Sequence, residues 1–117
     1  MKAEPLKSNH YNQAQELGIT KIVLEWSGGS DEGHLYVSTQ VAERLDEISD
    51  EKRKTIHRLE SDIEKWGYDV YEYSGAGDGN PYGDTIEYDL VKGTVSTVEW
   101  YTKEVYDEPE TFTLSVD

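Results

Sequence analysis

The dipeptide Lys92-Gly93 lies between two runs of alternating residues, and this pattern constrains the fold more than any other part of the sequence. The apolar residues of the two runs are Ile86, Tyr88 and Leu90 before the dipeptide and Val98 and Trp100 after it. A period of two is typical of a strand with one buried face, and a short connection containing glycine is typical of a hairpin. The sequence therefore predicts two antiparallel strands, over residues 85–91 and 94–106.

The length of the hairpin loop decides which side chains share a face of the sheet. A two-residue loop would pair Leu90 with Val95 and would set the apolar face of one strand beside Glu99. A three-residue loop with Gly93 in the left-handed conformation keeps the apolar residues of both strands together. We therefore expect the three-residue loop. It places four side chains on the opposite face, which are Glu87, Asp89, Glu99 and Tyr101.

Two helices are predicted. Residues 5–17 form a short one, because a proline suits its first turn and a glycine follows its end. Residues 41–65 have apolar spacings of three, four and seven, which predict a long helix with Thr39 as its N-cap and Gly67 as its stop. A break near Ser49, which could cap a second helix, is the alternative.

Alternating patterns predict further strands at residues 19–26, 35–37, 68–73 and 111–116. A length of 117 residues fits one domain, spanning 1–117. The expected fold class is α+β. An antiparallel sheet of about five to six strands, built from two hairpin units, packs against one long helix, with a short helix at the N-terminus.

The charge of the chain limits its partners. The net charge is −14, and residues 69–117 hold 12 acidic and two basic residues. Such a charge disfavours direct binding to nucleic acid or to a membrane surface, which both need cationic faces, and it favours basic partners. Cysteine is absent from the sequence, which excludes disulfides and thiolate metal sites. The sequence starts without the apolar run of a signal peptide, so we expect a cytoplasmic protein.

A glycine-rich segment at residues 74–84 is a candidate ligand site. Phosphate binding is disfavoured, because a strand follows the segment and the segment contains no lysine or arginine. Calcium is the better hypothesis, since Asp78, Asn80 and Asp84 offer oxygen ligands. The alternative is a connector whose glycine, asparagine and proline serve turn geometry.

Catalytic motifs are not apparent. His10, His34 and His57 lie far apart in the sequence, without the spacing of a metal site or a catalytic triad, and we expect each to be a surface residue. With 25 acidic residues, any chosen pair of carboxylates is uninformative. We therefore expect a binding protein and not an enzyme.

The acidic residues of the C-terminal strands are the main candidate site. Like charges on neighbouring strands destabilise a sheet, so folding alone does not account for them. They form either a solvated face that keeps the protein soluble or a surface that binds a basic partner, in which tyrosine supplies stiff contact area. The candidate contact residues are Glu72, Glu87, Asp89, Glu99, Tyr101, Glu104, Asp107 and Glu108.

The segment Gly79-Asn-Pro-Tyr-Gly-Asp-Thr-Ile-Glu-Tyr-Asp89, followed by a turn and a strand bearing Tyr101, resembles a family of small proteins. The family is a domain of unknown function found on bacterial chromosomes, plasmids and phages. The resemblance covers the C-terminal half of the chain. One departure is that the family has a Trp just before the loop, where this chain has Tyr71 and Tyr73.

The resemblance implies a mobile-element setting and supplies no activity. Small, acidic phage proteins without cysteine are similar to anti-CRISPR and anti-restriction proteins that imitate the charge of DNA. By this analogy we expect an acidic inhibitor of a basic host protein or nucleoprotein complex, acting in the host cytoplasm. A calcium- or small-ligand-binding module is the alternative.

Overall fold

The computed structural model describes residues 3–28, 33–71, 82–101 and 110–116, with the backbone alone for Leu45, Tyr82, Trp100 and Tyr101. Its elements in chain order are α1 (Ser8–Glu16), β1 (Ile19–Gly28), β2 (Gly33–Val41), a 3-10 turn (Leu45–Glu47), α2 (Asp50–Val70), β3 (Tyr82–Asp89), β4 (Thr94–Tyr101) and β5 (Glu110–Thr113).

The strands form one antiparallel sheet in the order β2-β1-β3-β4-β5. Because β1 pairs with β3, the β1–β2 and β3–β4 hairpins share this sheet. The long helix α2 packs on one face of the sheet. The predicted α+β fold, with a short N-terminal helix, is confirmed.

The predicted start of the long helix is wrong, and the alternative break near Ser49 is confirmed. Strand β2 extends to Val41, so Thr39 is a strand residue and not an N-cap. The helix begins at Asp50, where the Ser49 hydroxyl accepts a hydrogen bond of 3.2 Å from the Lys52 amide. This side-chain bond satisfies one of the amides that a helix leaves unpaired at its start, and it decides the boundary.

The predicted end of the helix is also wrong. Gly67 lies inside α2, which continues to Val70, so the predicted strand at residues 68–73 is helical as far as residue 70. Gly67 is buried, and a Cβ atom placed on it would lie 2.5 Å from Leu35 Cδ2 and 3.6 Å from Leu24 Cδ2. The glycine therefore serves close approach of the helix to the sheet and not helix termination.

The core lies between α2 and the sheet, with Trp66 and Tyr88 near its centre. The Trp66 ring lies 6.0 Å from the Tyr71 ring and 6.4 Å from the Tyr88 ring, measured between centroids. The buried apolar residues of the sheet that share this face are Ile22, Leu24, Trp26, Leu35, Ile86, Tyr88 and Val95.

Two tyrosine hydroxyls hold the N-terminal segment at Glu4. The Glu4 amide donates to Tyr71 Oη at 2.8 Å, and the Tyr88 hydroxyl donates to the Glu4 carbonyl at 2.7 Å. The two hydroxyls also bond each other. Since Tyr88 gives its hydrogen to Glu4, Tyr71 must donate to Tyr88, and the three bonds form a closed circuit. Burial raises the pKa of both hydroxyls, which keeps them protonated as this circuit requires.

The predicted register of the β3–β4 hairpin is wrong. Asp89 pairs with Thr94, so the loop has four residues and includes Leu90. Gly93 does have the predicted left-handed conformation, with φ of 66°. The chain turns away from β4 at Leu90 because Asp89 accepts bonds from the Val91, Lys92 and Gly93 amides, while the Leu90 amide still donates to the Thr20 carbonyl beside β1 at 2.9 Å and its side chain is buried. One extra loop residue moves every side chain of β4 to the other face.

The close approach at Gly67 predicts that the effect of Gly67→Ala on stability depends on the side chain at residue 35. We expect Gly67→Ala to destabilise the protein by about 1–3 kcal/mol, because the added methyl group overlaps Leu35 in a packed core. After Leu35→Ala the overlap is gone, and Gly67→Ala should then stabilise by up to about 1 kcal/mol through helix propensity. Urea unfolding of the four proteins measures this cycle. An equal effect of Gly67→Ala in both backgrounds would contradict the packing described here.

Candidate functional site

The observed register separates the residues that were predicted to form one acidic face. Glu87 and Asp89 lie on the open face of the sheet, away from α2. Glu99 pairs with Asp84, so it lies on the face that α2 covers, and the backbone of Tyr101 has the same parity. The predicted surface of Glu87, Asp89, Glu99 and Tyr101 is therefore not a single face.

The open face of the sheet carries little net charge around Glu87. The Glu87 carboxylate lies 3.8 Å from Lys21 Nζ, in a pair that is about one-third exposed on both sides. The neighbours of Glu87 across the sheet are Val23 and Ser96. An exposed pair of this kind contributes at most about 1 kcal/mol, and it neutralises the acid that was predicted to contact a partner.

Asp89 forms the β3–β4 turn. Its Oδ1 atom accepts hydrogen bonds from the Val91 amide at 3.1 Å and from the Lys92 amide at 2.9 Å. The backbone bond from the Gly93 amide to the Asp89 carbonyl, 2.9 Å long, closes the same turn. The bond from the Lys92 amide, with that from Val91, lowers the pKa of Asp89. Only 7% of its surface is exposed, so turn formation accounts for this acid.

Asp84 lies in strand β3 and not in a loop. Its side chain is 3% exposed on the face that α2 covers, between Trp26 on β1 and Glu99 on β4. Burial raises the pKa of Asp84, and the negative charge of Glu99 raises it further. This position removes Asp84 from the predicted calcium loop, whose other members, Asp78 and Asn80, lie outside the described residues.

Within the described ranges, no group of three or more histidine, aspartate or glutamate side chains could hold a metal ion. Likewise, among the helices of the described ranges, none is long and apolar enough to cross a membrane.

Strand pairing brings four strand ends into one row at one end of the sheet. Gly28 pairs with Gly33 on one side and with Tyr82 on the other, and Tyr82 pairs with Tyr101. Adjacent strands are about 4.8 Å apart, so the row is about 14 Å long. The end of α2 lies near this row, because the Tyr68 ring contacts the Trp26 ring at 5.2 Å.

Three connecting segments attach to this row, and they are residues 29–32, 72–81 and 102–109. Their charged residues are Asp31, Glu32, Glu72, Asp78, Glu104, Asp107 and Glu108, together with Lys103. Four of the predicted contact residues, Glu72, Glu104, Asp107 and Glu108, thus lie outside the described residues. We call the row and its three segments the acidic end.

His10 is not a surface residue, contrary to prediction. It is 5% exposed, and its ring meets the Trp66 ring edge to face at 5.9 Å. Burial lowers the pKa of His10, and the positive charge of Lys7 lowers it further. Sequence reasoning also missed the hydrogen-bond circuit of Tyr71 and Tyr88. Nothing in the local pattern marks these two tyrosines, because the third member of the circuit is the backbone of Glu4.

Comparison with protein-family models, with curated proteins and with solved structures found no match for this chain. The resemblance to the small bacterial, plasmid and phage family therefore stays a prediction.

The turn role of Asp89 predicts an acid-dependent effect. We expect Asp89→Asn to lower the free energy of unfolding at pH 7, and Asp89→Ala to lower it further, because only asparagine keeps an acceptor for the turn amides. The folded-state pKa of Asp89 is depressed, so its stabilisation is present above the ordinary pKa of about 4 and is lost as pH falls through the folded-state value. Urea unfolding of Asp89→Asn and wild type should thus converge at acid pH.

Asp84→Asn should raise the free energy of unfolding at pH 7, whereas Asp89→Asn should lower it. Because burial raises the pKa of Asp84, its ionised form costs stability at pH 7, and the amide removes that cost. The variant should be more stable than wild type at pH 7, and the difference should shrink as pH falls through the folded-state pKa and Asp84 becomes neutral. The same unfolding series measures it. A variant less stable than wild type at pH 7 would contradict this account of Asp84.

Proposed function

We propose that this chain is an acidic inhibitor that occupies the cationic nucleic-acid-binding surface of a host defence protein, and that the acidic end makes the contact. The observation that supports this most is the row of paired strand ends at Gly33, Gly28, Tyr82 and Tyr101. Three segments far apart in the sequence are anchored within about 14 Å by this pairing.

The charge of the three segments is of the right order to imitate DNA. They hold seven acidic residues and one lysine, which is a net charge of −6 on segments that join the row. Duplex DNA presents one negative charge per about 1.7 Å of its axis, or about eight over 14 Å. A groove lined by lysine and arginine for DNA would therefore also attract this end of the protein.

Helix α2 adds to this charge asymmetry. Two hydrogen bonds to β2 show the direction of the helix. Glu60 Oε2 accepts a bond of 3.1 Å from Thr39 Oγ1, and further along the helix Tyr68 Oη accepts a bond of 3.0 Å from the Leu35 amide, which lies nearer to Gly33. The helix therefore ends near the acidic end, where the negative pole of its dipole adds to the field. Its bases lie mostly in the half that starts at the far end of the sheet, and they are Lys52, Arg53, Lys54 and Arg58.

The open face of the sheet supports this proposal less well. Glu87 is paired with Lys21 there, and the amides of the β3–β4 turn occupy Asp89. Cross-strand neighbours on that face include Val23, Ser96 and Thr111, which are neutral. Binding through the acidic end also leaves the sheet and helix intact as a scaffold, since the acids belong to connections and not to the core.

The proposal predicts that removing charge from the acidic end weakens competition with DNA. The test variant neutralises five acids of the acidic end, with substitutions Asp31→Asn, Glu32→Gln, Glu104→Gln, Asp107→Asn and Glu108→Gln. The readout is displacement of fluorescein-labelled duplex DNA from a restriction endonuclease and from a guide-loaded Cas nuclease. We expect wild type to displace DNA, and the variant to need at least about tenfold more protein, because each removed charge weakens attraction to the groove.

A control with the same net charge separates position from total charge. It neutralises five exposed acids elsewhere, with substitutions Glu16→Gln, Asp46→Asn, Glu47→Gln, Glu51→Gln and Glu64→Gln. We expect the control to compete within about threefold of wild type, since distant charges are screened at a Debye length of about 10 Å in 0.1 M salt. Equal losses in the two variants would contradict the assignment to the acidic end, and failure of wild type to displace DNA would contradict the inhibitor.

A further inference from the structure

We propose that a second copy of this chain pairs with the free edge of β5, so that two sheets join through an antiparallel β5–β5 contact. The proposal is independent of the acidic end and of its partner. It rests on the hydrogen-bonding pattern of the strand, on one exposed aromatic side chain and on the low charge of this edge.

The pairing with β4 fixes which backbone groups of β5 point outward. The Leu114 amide donates to the Gly93 carbonyl at 2.7 Å, so Gly93 and Leu114 form a hydrogen-bonded pair. Such pairs alternate along an antiparallel ladder, and Phe112 therefore also bonds toward β4. Thr111 and Thr113 point their amides and carbonyls away from the sheet. Among the described residues, these outward groups have no backbone partner.

This polarity defines a register for two copies. Outward groups must face outward groups, so Thr111 of one copy pairs with Thr113 of the other, in both directions. Phe112 then lies directly opposite Phe112 of the second copy, in a non-hydrogen-bonded pair where Cα atoms are about 4.5 Å apart. Threonine pairs and aromatic pairs across strands are both stabilising.

Phe112 gives this register apolar surface to bury. Its side chain is 50% exposed. It lines a cleft of about 190 Å³ together with residues 3–5, of which Glu4 is acidic, and with Val95, Thr113 and Ser115. Two Phe112 rings placed side by side over the two clefts would cover apolar surface that each copy leaves in water.

The opposite edge of the sheet, formed by β2, is covered in part by α2. The Tyr68 hydroxyl accepts a bond from the outward Leu35 amide, and Glu60 binds the Thr39 hydroxyl. Side chains from a helix that occupy an edge in this way protect it from pairing. The N-terminal segment covers the C-terminal continuation of β5, where the Leu6 amide donates to the Ser115 carbonyl and Leu6 bridges to Val116. Among the described residues, the outward groups of Thr111 and Thr113 have no such cover, which makes this part of the edge the one open to a second copy.

Charge also favours this edge over other surfaces. Two copies with a net charge of −14 each repel one another, so contact is least costly where acids are few. Glu110 is the one charged residue in the stretch from 110 to 116. The register places Glu110 opposite Leu114 of the second copy and not opposite another acid. A short strand pair falls below the area of about 1,000 Å² typical of stable complexes, so we expect a micromolar or weaker dimer.

A cysteine trap tests the register, because the chain has no cysteine of its own. In this register Phe112→Cys places two thiols within disulfide distance, whereas Thr111→Cys places them two residues out of register. Val91→Cys is the control for exposure, since Val91 is 75% exposed at the β3–β4 turn. Under mild oxidation we expect Phe112→Cys to form crosslinked dimer at least about tenfold faster than either control. Equal rates for all three variants would overturn the proposal.

Sedimentation of the protein without cysteine supplies the second measurement. Salt screens the repulsion between copies, so the dimer should strengthen between 50 and 500 mM NaCl, opposite to the effect of salt on an acid–base contact. Thr111→Pro removes an outward amide without breaking the backbone bonds to β4 and should give monomer. Thr111→Val loses the same hydroxyl contact to Ser96 but keeps the amide, and it should dimerise as wild type does. A wild-type protein that stays monomeric at both salt concentrations overturns the proposal.

Discussion

The four-residue turn closed by Asp89 decides how the second half of the sheet is arranged. Its carboxylate holds the Val91 and Lys92 amides, and the left-handed Gly93 completes the reversal. The parity of this turn sends Val95 and Thr97 to the buried face with Tyr88 and sends Ser96 to water. Strand β5 inherits the same parity from β4, so one carboxylate at the turn influences which side chains are exposed at the far edge of the sheet.

The same sheet separates two kinds of surface. Its open face holds small and β-branched residues around a Lys21–Glu87 pair, whereas the three connections that join the row of strand ends hold seven acidic residues and one lysine. Two acids of strand β3 have local structural surroundings: Asp89 accepts the hydrogen bonds of the turn, and Asp84 is buried. One like-charge pair does lie on paired strands, since Asp84 is opposite Glu99, and the charge of Glu99 contributes to the raised pKa of Asp84.

Periodicity was sufficient to predict the fold class, the antiparallel sheet and the two helices, because alternation and helical spacing follow from burial on one side. It was not sufficient where one local bond outweighs the pattern. Ser49 begins the helix later than its apolar spacing suggests, and Leu90 joins the turn although it continues the alternation. Gly67 has the residue type of a helix stop and is used for packing instead. The predicted acidic face depended on the β3–β4 register. Because the loop of this hairpin has four residues and not three, the prediction of that face was wrong.

The attachment of the N-terminal segment has a consequence for the order of folding. The Glu4 backbone is held by Tyr71 and Tyr88, and the Leu6 amide donates to the Ser115 carbonyl at 3.1 Å. These partners are synthesised long after the segment they hold. Leu6 is fully buried in the finished protein, and during synthesis its amide stays without its final acceptor, the Ser115 carbonyl, until nearly the whole described chain exists. The first described residues of the chain are thus among the last to reach their native contacts.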